Sequence, residues 1–332
     1  MGDVVCGEKQ IRGENIWRGG WLRFRFARMS KFPEPEVVIT HESDLDGFVS
    51  GHLLQRLAKH LFDRNVPLQA WNYTNWERRP LREGCAWVCD LNFSARMDKD
   101  DWVIVDHHRT DHEPKNATLI LDHSKSASLL CYELCQAEGL GNEKLDRLVH
   151  LTNVGDLYLT DDPNFTEAID CGSLIKQYMF WNIAKLVEGD LESLVDHPLL
   201  EVIRTRRQVE NPLGHAYAKA HITPLSDTVA MVESPIGDTN AVVHQLLSEE
   251  ATPHPVLLTA STNNRSVSVS LRSRNGEALP IARQLQGGGH PNACGATLPK
   301  TIQRIPDAVV YLKKTLNPNP HGDGISSLAD AL

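Results

Sequence analysis

Short hydrophobic runs in the first half of the chain predict strands, and most of them lead into a polar or acidic segment. The strands are expected at Glu36 to Thr40, Val66 to Trp71, Ala86 to Cys89, Trp102 to Val105 and Ala117 to Leu121. Apolar residues recur at helical spacing between and after them. These helices are expected at Gly47 to Phe62, Ala127 to Ala137, around Leu145 to Val154, and at Ser173 to Val187. Strands that alternate with helices are typical of βαβ units, so the first domain is predicted to be α/β with a parallel sheet.

A smaller α/β unit is predicted in the last third of the chain. Asp196 to Ser226 is expected to form one long polar helix, broken or kinked near Pro212, that joins the two domains. Strands are then expected at Thr228 to Val232, Pro255 to Ala260 and Ser266 to Leu271. Helices are expected at Asn240 to Leu247, Ala278 to Leu285 and Pro306 to Leu316.

This pattern divides the 332 residues into two domains flanked by less regular segments. We expect an irregular N-terminal extension over residues 1–34, the parallel-sheet domain over 35–195, a helical linker over 196–226, the smaller α/β domain over 227–317 and a flexible tail over 318–332. Met1 to Arg28 shows no clear apolar periodicity, so this stretch is predicted to be disordered or to come from an over-extended gene start.

The composition is that of an ordinary folded protein, with 41% hydrophobic and 23% charged residues. A formal net charge of −9 argues against a broad basic track for long duplex nucleic acid and leaves small or short anionic substrates open. Neither a stretch of ~20 apolar residues that could span a membrane nor a signal-peptide core is evident. A cytoplasmic location without membrane contact is therefore expected.

The seven cysteines are expected to be reduced thiols, because their odd number and scatter do not suggest a disulfide framework. Cys85 and Cys89 stand four residues apart, as do Cys131 and Cys135. Structural zinc sites commonly use a closer C-x₂-C spacing, so core packing is favoured over zinc binding at both pairs.

Acidic residues and histidines follow three of the predicted strands directly. Asp106-His107-His108 comes after Trp102 to Val105, Asp90 follows Ala86 to Cys89, and an acidic segment from His41 to Gly47 follows the first strand. Ligands of an open parallel sheet bind outside the carboxyl ends of its strands, so these side chains are expected to converge. A cluster rich in Asp and His suits Mn²⁺ or Mg²⁺, with Zn²⁺ or Fe²⁺ as alternatives.

Such a cluster points to phosphoester hydrolysis. Two divalent ions ~3.5–4 Å apart can share a water, lower its pKa and stabilise both oxygens of an in-line displacement at phosphorus. His108, if protonated, could neutralise charge on the phosphoryl group or donate a proton to the leaving oxygen.

Gly287-Gly288-Gly289-His290 is the second candidate site. Glycines let backbone N–H groups approach an anion without a Cβ in the way, and His290 adds a donor. Arg272 and Arg274, at the end of a predicted strand, supply guanidinium donors for a phosphate or a base. The second domain would then bind the substrate that the first domain cleaves.

Simpler explanations exist for each feature alone. A single Asp at a strand end is usually a turn former or a helix cap, and a glycine run alone is equally well a flexible loop. A solvated helix face accounts for the arginines of the linker better than a nucleic-acid patch does. Aromatic packing is favoured over base stacking for Trp71, Tyr73 and Trp76. It is the combination of the acidic clusters that favours a functional site.

Taken in order along the chain, these motifs resemble those of the DHH phosphoesterase superfamily, and the resemblance spans roughly Val37 to Lys314. The glycine motif resembles the type 1 DHH-associated domain of that family. The motifs are Asp44-Leu45-Asp46-Gly47, Asp90, Asp106-His107-His108, Asn153-Val154-Gly155-Asp156 and Gly287-Gly288-Gly289-His290.

The resemblance implies two Mn²⁺ ions, with Mg²⁺ or another divalent ion as the alternative. It assigns His41, Asp44 and Asp90 to one ion, and Asp46, Asp90, His107 and Asp156 to the other. His41 departs from the family pattern, because it stands three residues before the first Asp where relatives have two or four. The resemblance further implies that Asp106 orients an imidazole, that His108 faces the substrate phosphate, and that substrate is bound by Arg272, Ser273, Gly287, Gly288, Gly289 and His290.

Three functions remain open at this point. The first is a nanoRNase-like phosphodiesterase that releases mononucleotides from short single-stranded RNA or DNA and also dephosphorylates nucleotide bisphosphates. The second is a related hydrolase for cyclic dinucleotides, polyphosphate or longer single strands. The third is a nucleotide-binding protein with a degenerate site, which the complete set of carboxylates argues against. A homodimer is left open.

Overall fold

The computed structural model describes residues 32–262 and 266–318, and the chain divides into two compact units between Leu200 and Glu201. Nearly all of the predicted N-terminal extension and the predicted tail beyond residue 318 lie outside the described residues. Within the described ranges, no helix combines the length and the apolar character that a membrane crossing requires.

The first unit contains a five-stranded parallel sheet, as the alternation of strands and helices predicts. The strands lie in the order β2-β1-β3-β4-β5, and each neighbouring pair is parallel. They are β1 (Val37–His41), β2 (Leu68–Trp71), β3 (Ala86–Cys89), β4 (Val103–Asp106) and β5 (Thr118–Leu121). The three central strands are buried along their whole length, as expected of a parallel sheet covered on both faces.

Polar side chains fix where several helices of this unit begin. The helices are α1 (Leu45–Phe62), α2 (Tyr73–Arg78), α3 (Ala127–Ala137), α4 (Glu143–Asp156), α5 (Phe165–Tyr178) and α6 (Phe180–Val187). Asp44, Asn72, Ser126 and Asn142 each accept a hydrogen bond from a backbone N–H in the first turn of the helix that follows. Single-turn or slightly longer 3₁₀ segments occur at Ala95–Met97 and Leu191–Asp196.

The second unit contains a mixed sheet in the order β10-β11-β9-β8-β7-β6. Only β7 and β8 pair in parallel among these neighbours. The strands are β6 (Ile222–Pro224), β7 (Val229–Val232), β8 (Val256–Thr262), β9 (Val267–Ser273), β10 (Gly288–His290) and β11 (Ala293–Thr297). The helices are α7 (Leu199–Ala220), α8 (Thr239–Ser248), α9 (Ala278–Gln284) and α10 (Ile305–Leu316).

Helices cover the two faces of this sheet unequally. On one face, Leu271 and neighbouring apolar residues of β8, β9 and β11 pack against α9 and α10. On the other face, a smaller core joins Leu257 of β8 and residues of β7 to α8 and to Ala218 of α7. The part of this second face that belongs to β9 and β11 carries exposed small residues such as Ser270 and Gly295. Arg272 lies on this open part of the sheet.

The single helix predicted from Ser173 to Val187 is wrong. Two helices occupy this region, and the first of them begins already at Phe165. They meet at Met179, whose φ of +70° lies in the left-handed region and interrupts the helical hydrogen-bond ladder. Neither glycine nor proline marks this break in the sequence.

The long helix predicted from Asp196 to Ser226 also differs from the structure. Helix α7 runs only from Leu199 to Ala220, passes through Pro212, and is followed by the short edge strand β6. The Asn211 side chain accepts a hydrogen bond from Asp238 N at 2.8 Å, so the middle of α7 is attached to the second unit. The domain bounds given above stay a prediction.

The glycine motif forms an edge strand. Gly288–His290 makes β10, which pairs antiparallel with Ala293–Thr297. These two strands and the short helix α2 were not predicted, because none is long enough to show an apolar period. Of the cysteines in the described residues, all are free, and Cys89, Cys131 and Cys135 are buried, in keeping with a packing role.

Candidate metal centre

Acidic and histidine side chains meet at the carboxyl ends of β1, β3 and β4. They form three overlapping groups, and within each group the ligand atoms lie within 4.8 Å of one another. The groups are His41, Asp44 and Asp90; Asp46, His107 and Asp156; and Asp90, His107 and His108. The structure thus brings together every side chain that the sequence analysis assigns to a metal ion, and Asp90 occurs in two of the groups.

Asp44 both caps a helix and faces the cluster. Its Oδ1 accepts a hydrogen bond from Gly47 N at 3.0 Å, which starts α1, while its Oδ2 lies 3.0 Å from His41 Nδ1. A Cβ on Gly47 would lie 2.2 Å from the carbonyl oxygen of His41, so only glycine allows the helix to begin this close to β1. Asp44 can therefore cap the helix with one carboxylate oxygen and bind a metal ion with the other.

Asp46 is held by the N-terminus of α3. Its two carboxylate oxygens accept hydrogen bonds from Ala127 N and Ser128 N, both at 2.8 Å. The positive end of a helix stabilises a carboxylate there. The side chain is nevertheless almost fully buried, and burial raises the pKa of Asp46 above its ordinary value. A cation beside Asp46 would restore its charged form.

Asp90 is the most constrained member of the cluster. Its φ of +54° lies in the left-handed region, which costs on the order of 1 kcal/mol and turns the residue out of the line of β3. Burial, together with the charges of Asp44 and Asp46, raises the pKa of Asp90 well above its usual range. Its buried Oδ2 has no hydrogen-bond partner among the described residues, since His41 Nδ1 stands 3.6 Å away.

His107 directs its Nε2 into the same cluster. This atom lies 3.5 Å from Asp90 Oδ1 and 3.5 Å from Asp156 Oδ2. It is buried and without a hydrogen-bond partner in the part of the chain that the structure describes. The backbone oxygen of His107 accepts a hydrogen bond from His123 Nδ1 at 2.8 Å, which helps to fix the segment after β4.

These observations test whether a divalent ion fits the residues. Buried polar atoms normally have partners, yet Asp90 Oδ2 and His107 Nε2 have none within the described ranges, and both point into the cluster. Crowded carboxylates repel one another, and the pKa values of Asp46 and Asp90 are raised, chiefly by burial. The pKa of Asp156, a more exposed residue, is raised as well. Oxygen and imidazole donors in this number suit Mn²⁺ or Mg²⁺. The residues fit such an ion.

His41 and Asp44 behave as an ion pair at the outer side of the cluster. Burial disfavours a charged imidazole, but Asp44 and Asp90 outweigh burial and raise the pKa of His41 to about 10. Burial likewise acts against the charge of Asp44, and the hydrogen bond with His41 overrides it and lowers the pKa of Asp44 to about 2. Coordination by His41 would require its neutral form, so an ion bound here would displace a proton.

Asp106, His108 and Tyr73 form a hydrogen-bonded row beside the cluster. His108 Nδ1 lies 2.8 Å from Asp106 Oδ1, and the Tyr73 hydroxyl lies 3.3 Å from His108 Nε2. Burial works against a charged His108, but Asp106 outweighs it and raises the pKa of His108. Asp106 Oδ2 also accepts a hydrogen bond from Phe93 N, so this fully buried carboxylate orients His108, in line with the sequence expectation.

The predicted substrate residues of the second unit lie on adjacent strands. Ala293 of β11 pairs with His290 on one side and with Arg272 on the other, so all three point to the same face of the sheet. Arg272 donates hydrogen bonds to Asn240 Oδ1 at 2.9 Å and to the carbonyl oxygen of Leu271 at 3.0 Å. The structure does not bring Ser273 to this face.

Ser273 points to the opposite, buried side of β9. Its hydroxyl accepts a hydrogen bond from Ala278 N at 3.0 Å at the start of α9 and bonds to Asn292 Oδ1 at 3.2 Å. Gly287 is required by packing, because a Cβ there would lie 2.1 Å from the carbonyl oxygen of Gly295. Gly289 is required by its backbone conformation, because its φ is +135°. Gly288 faces open space.

Sequence reasoning missed Tyr73 as a residue of the first site. It treated Tyr73 as aromatic packing, because a tyrosine that follows a strand carries no local signal of its position. The ring centroid of Tyr73 lies 4.7 Å from that of His41, and the residue is 37% exposed. Only the three-dimensional structure places its hydroxyl beside His108.

Comparison with known proteins gives a family match for part of the chain and a fold match for most of it. Residues 230–317 match the DHHA1 domain family. No curated protein sequence matches the chain. A pGpG-specific phosphodiesterase from Vibrio cholerae has a similar structure with 12% identity and a TM-score of 0.51, over 84% of this chain and 97% of that one. An exopolyphosphatase-related protein from Bacteroides fragilis has 14% identity and a TM-score of 0.54, over 89% and 96% of the two chains.

Proposed function

We propose that the protein is a metal-dependent phosphodiesterase that hydrolyses short linear oligonucleotides to mononucleotides. The premise is a chain with the fold of the DHH phosphoesterase superfamily and a match to the DHHA1 domain at residues 230–317. The observation that carries this proposal is the cluster of Asp and His side chains at the strand ends. Two of its buried ligand atoms, Asp90 Oδ2 and His107 Nε2, lack a hydrogen-bond partner among the described residues. The similar protein from Vibrio cholerae is a phosphodiesterase specific for pGpG, a linear dinucleotide, which supports the choice of a very short substrate.

We assign two divalent ions to the cluster, preferentially Mn²⁺. The first would be held by His41, Asp44 and Asp90, and the second by Asp46, Asp90, His107 and Asp156, so that Asp90 contacts both. Ions bound there would supply an activated water and stabilise charge at the reacting phosphorus.

The protein's own groups would complete the reaction. His108 has a raised pKa and an Nε2 that faces away from Asp106, so it can donate a hydrogen bond to a phosphoryl oxygen or a proton to the leaving oxygen. Asp106 fixes the orientation of the imidazole through Nδ1. Arg272 and the backbone of β10 would bind the part of the substrate that does not react, which supplies binding energy and specificity.

A substrate panel tests the proposal. Metal-loaded protein is incubated with a 5′-phosphorylated linear dinucleotide, a cyclic dinucleotide, a long single-stranded RNA and polyphosphate, and the products are separated by chromatography. We expect the linear dinucleotide to give mononucleotides fastest. The exopolyphosphatase-related neighbour makes polyphosphate the second candidate. Release of phosphate from polyphosphate without any cleavage of the nucleotides would overturn the proposal in favour of that candidate.

Replacing Arg272 is expected to separate substrate binding from cleavage. Arg272→Ala should lower kcat/KM for a linear dinucleotide by roughly tenfold or more, the scale of one lost charge-assisted hydrogen bond. Hydrolysis of a small aryl phosphodiester, which offers nothing for Arg272 to bind, should change little, whereas His107→Ala should impair both substrates. Arg304→Ala is the matched control, because Arg304 is exposed and bonds to Asp307 at 2.8 Å. Equal losses for both substrates in Arg272→Ala would contradict this division of roles.

Substitutions in the glycine motif are expected to distinguish a role in stability from a role in substrate binding. Gly288→Ala should leave the melting temperature unchanged, since its Cβ would meet nothing within 4 Å, but should weaken substrate binding if a phosphate approaches this backbone. Gly287→Ala is the contrasting variant, because its Cβ would collide with Gly295 and lower the melting temperature. Thermal unfolding reports the stability of both variants, and KM reports their substrate binding. An unchanged KM in Gly288→Ala would remove β10 from the substrate site.

A further inference from the structure

Tyr73 occupies a position that packing alone does not explain. It stands at the start of the six-residue helix α2, with its ring centroid 4.7 Å from that of His41. The residue is 37% exposed, so part of it stays accessible to a ligand although its ring packs against His41. Its hydroxyl lies 3.3 Å from His108 Nε2. Tyr73 therefore reaches the one ring nitrogen of His108 that Asp106 does not hold.

Several contacts fix α2 in place. At its start, the Asn72 side chain accepts a hydrogen bond from Asn75 N at 3.0 Å and donates one to Glu42 Oε1 at 2.7 Å. At its end, the Arg96 guanidinium bonds to the carbonyl oxygens of the last turn and lies 5.2 Å from the buried ring of Trp76. A helix this short is not stable alone, so these contacts determine where Tyr73 points. Glu42 lies in the loop that carries His41 and Asp44, which ties α2 to the candidate metal centre.

The positions of the two polar groups allow them to share a ligand. Donors 3.3 Å apart can both lie at hydrogen-bond distance, ~2.7–3.0 Å, from one oxygen atom between them. With Nδ1 donating to Asp106, Nε2 carries an N–H only in the doubly protonated imidazole, and in that form Nε2 and the Tyr73 hydroxyl are both donors that an anionic oxygen satisfies better than they satisfy each other. An incoming phosphoryl oxygen would therefore replace the contact between Tyr73 and His108 with two contacts to itself.

We propose, on the basis of the function proposed above, that Tyr73 is a phosphate-binding residue whose hydroxyl donates to the same nonbridging oxygen that accepts from His108 Nε2. The ring of Tyr73 against His41 fixes the direction of the hydroxyl. Phenylalanine at this position would keep that ring packing and lose only the donor. Tyr73→Phe therefore isolates the proposed role.

The test measures binding of inorganic phosphate to the full-length, Mn²⁺-loaded protein by calorimetry, so that it does not depend on turnover. We expect Tyr73→Phe to raise the phosphate Kd roughly tenfold, the scale of one lost hydrogen bond to a charged oxygen. The Kd for Mn²⁺ and the melting temperature should stay at wild-type values. In a His108→Asn background the effect of Tyr73→Phe should shrink, because residues that share one ligand atom are energetically coupled. Tyr217→Phe is the matched control, since Tyr217 has a similar exposure of 39% on a helix of the second unit.

The same variants are then assayed with the linear dinucleotide, which separates this inference from the proposed function. Phosphate binding that depends on Tyr73, in a protein that cleaves no phosphoester, would support the role of Tyr73 and overturn the proposed function. Unchanged phosphate binding and unchanged kcat/KM in Tyr73→Phe, in an active enzyme, would overturn only the role of Tyr73. A parallel loss of Mn²⁺ affinity or thermal stability in Tyr73→Phe would show a structural role and also overturn it. Absence of phosphate binding by the wild-type protein would overturn the role of Tyr73 and leave the proposed function to be decided by the dinucleotide assay alone.

Discussion

Asp90→Asn is expected to lower turnover of a short oligonucleotide by about a thousandfold or more, because Asp90 belongs to two of the ligand groups and a neutral amide replaces a shared negative charge. The same substitution should raise the melting temperature of the metal-free protein. Asp90 is buried beside Asp44 and Asp46, and these charges and burial together disfavour its ionised form. A variant that is more stable and inactive would show that this residue is kept for function at a cost in stability.

The pH dependence of stability gives this expectation a definite sign. The pKa of Asp90 is raised well above its ordinary value near 3.8, so the folded metal-free protein binds a proton that the unfolded chain releases. Stability from this carboxyl is therefore lost as pH rises from about 4 through the raised pKa. The melting temperature of the metal-free wild-type protein should fall over this range more steeply than that of Asp90→Asn.

Asp111→Asn serves as the control for the removal of one negative charge, because Asp111 is exposed and belongs to none of the ligand groups. It should leave both activity and the pH dependence unchanged. Thermal unfolding of the three proteins in a chelator, from about pH 4 to 8, checks the result. A metal-free Asp90→Asn that melts below the wild-type protein at pH 8 would show that Asp90 contributes a stabilising contact rather than a repulsive charge.

Removal of the metal is the second large effect that we expect. A chelator should abolish hydrolysis, and Mn²⁺ should restore it best, because the chemistry assigned to the site needs an activated water. Mn²⁺ should also raise the melting temperature, since a ligand at a hundred times its Kd stabilises the folded state by ~2.7 kcal/mol. This increase should be larger at pH 8 than at pH 5, because a bound ion requires deprotonated Asp90 and Asp156 and a neutral His41.

His112→Ala is the control for a general effect of Mn²⁺ on exposed histidines, since His112 is exposed and belongs to none of the ligand groups. It should keep the full response to Mn²⁺, whereas His107→Ala should lose most of it. Hydrolysis at the wild-type rate in metal-free protein, verified by elemental analysis, would exclude the proposed chemistry.

Much of the first unit could be predicted from the sequence, because its buried parallel strands are uninterrupted apolar runs that end in polar residues. Helix Ala127–Ala137 was predicted with the bounds that the structure shows, since Ser126 marks its start and its apolar period is regular. The break at Met179 could not be predicted, because only tertiary packing imposes its left-handed backbone. The edge strand β10 escaped prediction because glycines have low strand propensity, and close approach to β11 overrides it here.

The candidate site also has residues that the sequence predicts and residues that only the structure places. The ligands that follow β1, β3 and β4 could be placed together by the rule that parallel strands present their carboxyl ends at one edge. Asp156 ends helix α4, and only the resemblance assigned it to the site. Tyr73 and the burial of Ser273 depend on how short elements pack, which no periodicity in the chain encodes. The raised pKa of Asp90 likewise arises from neighbours that are distant in sequence, so it could be derived only from the structure.

Anomalous diffraction from crystals grown with Mn²⁺ tests the central claim most directly, because it locates the ions without reference to activity. We expect two peaks in the cluster, one beside His41 and Asp44 and one beside Asp46, His107 and Asp156, with Asp90 bonded to both. The same crystals of Asp90→Asn should lose at least one peak. Absence of any peak at the cluster in wild-type protein that hydrolyses a linear dinucleotide in Mn²⁺ would contradict the assignment of this site as the metal centre.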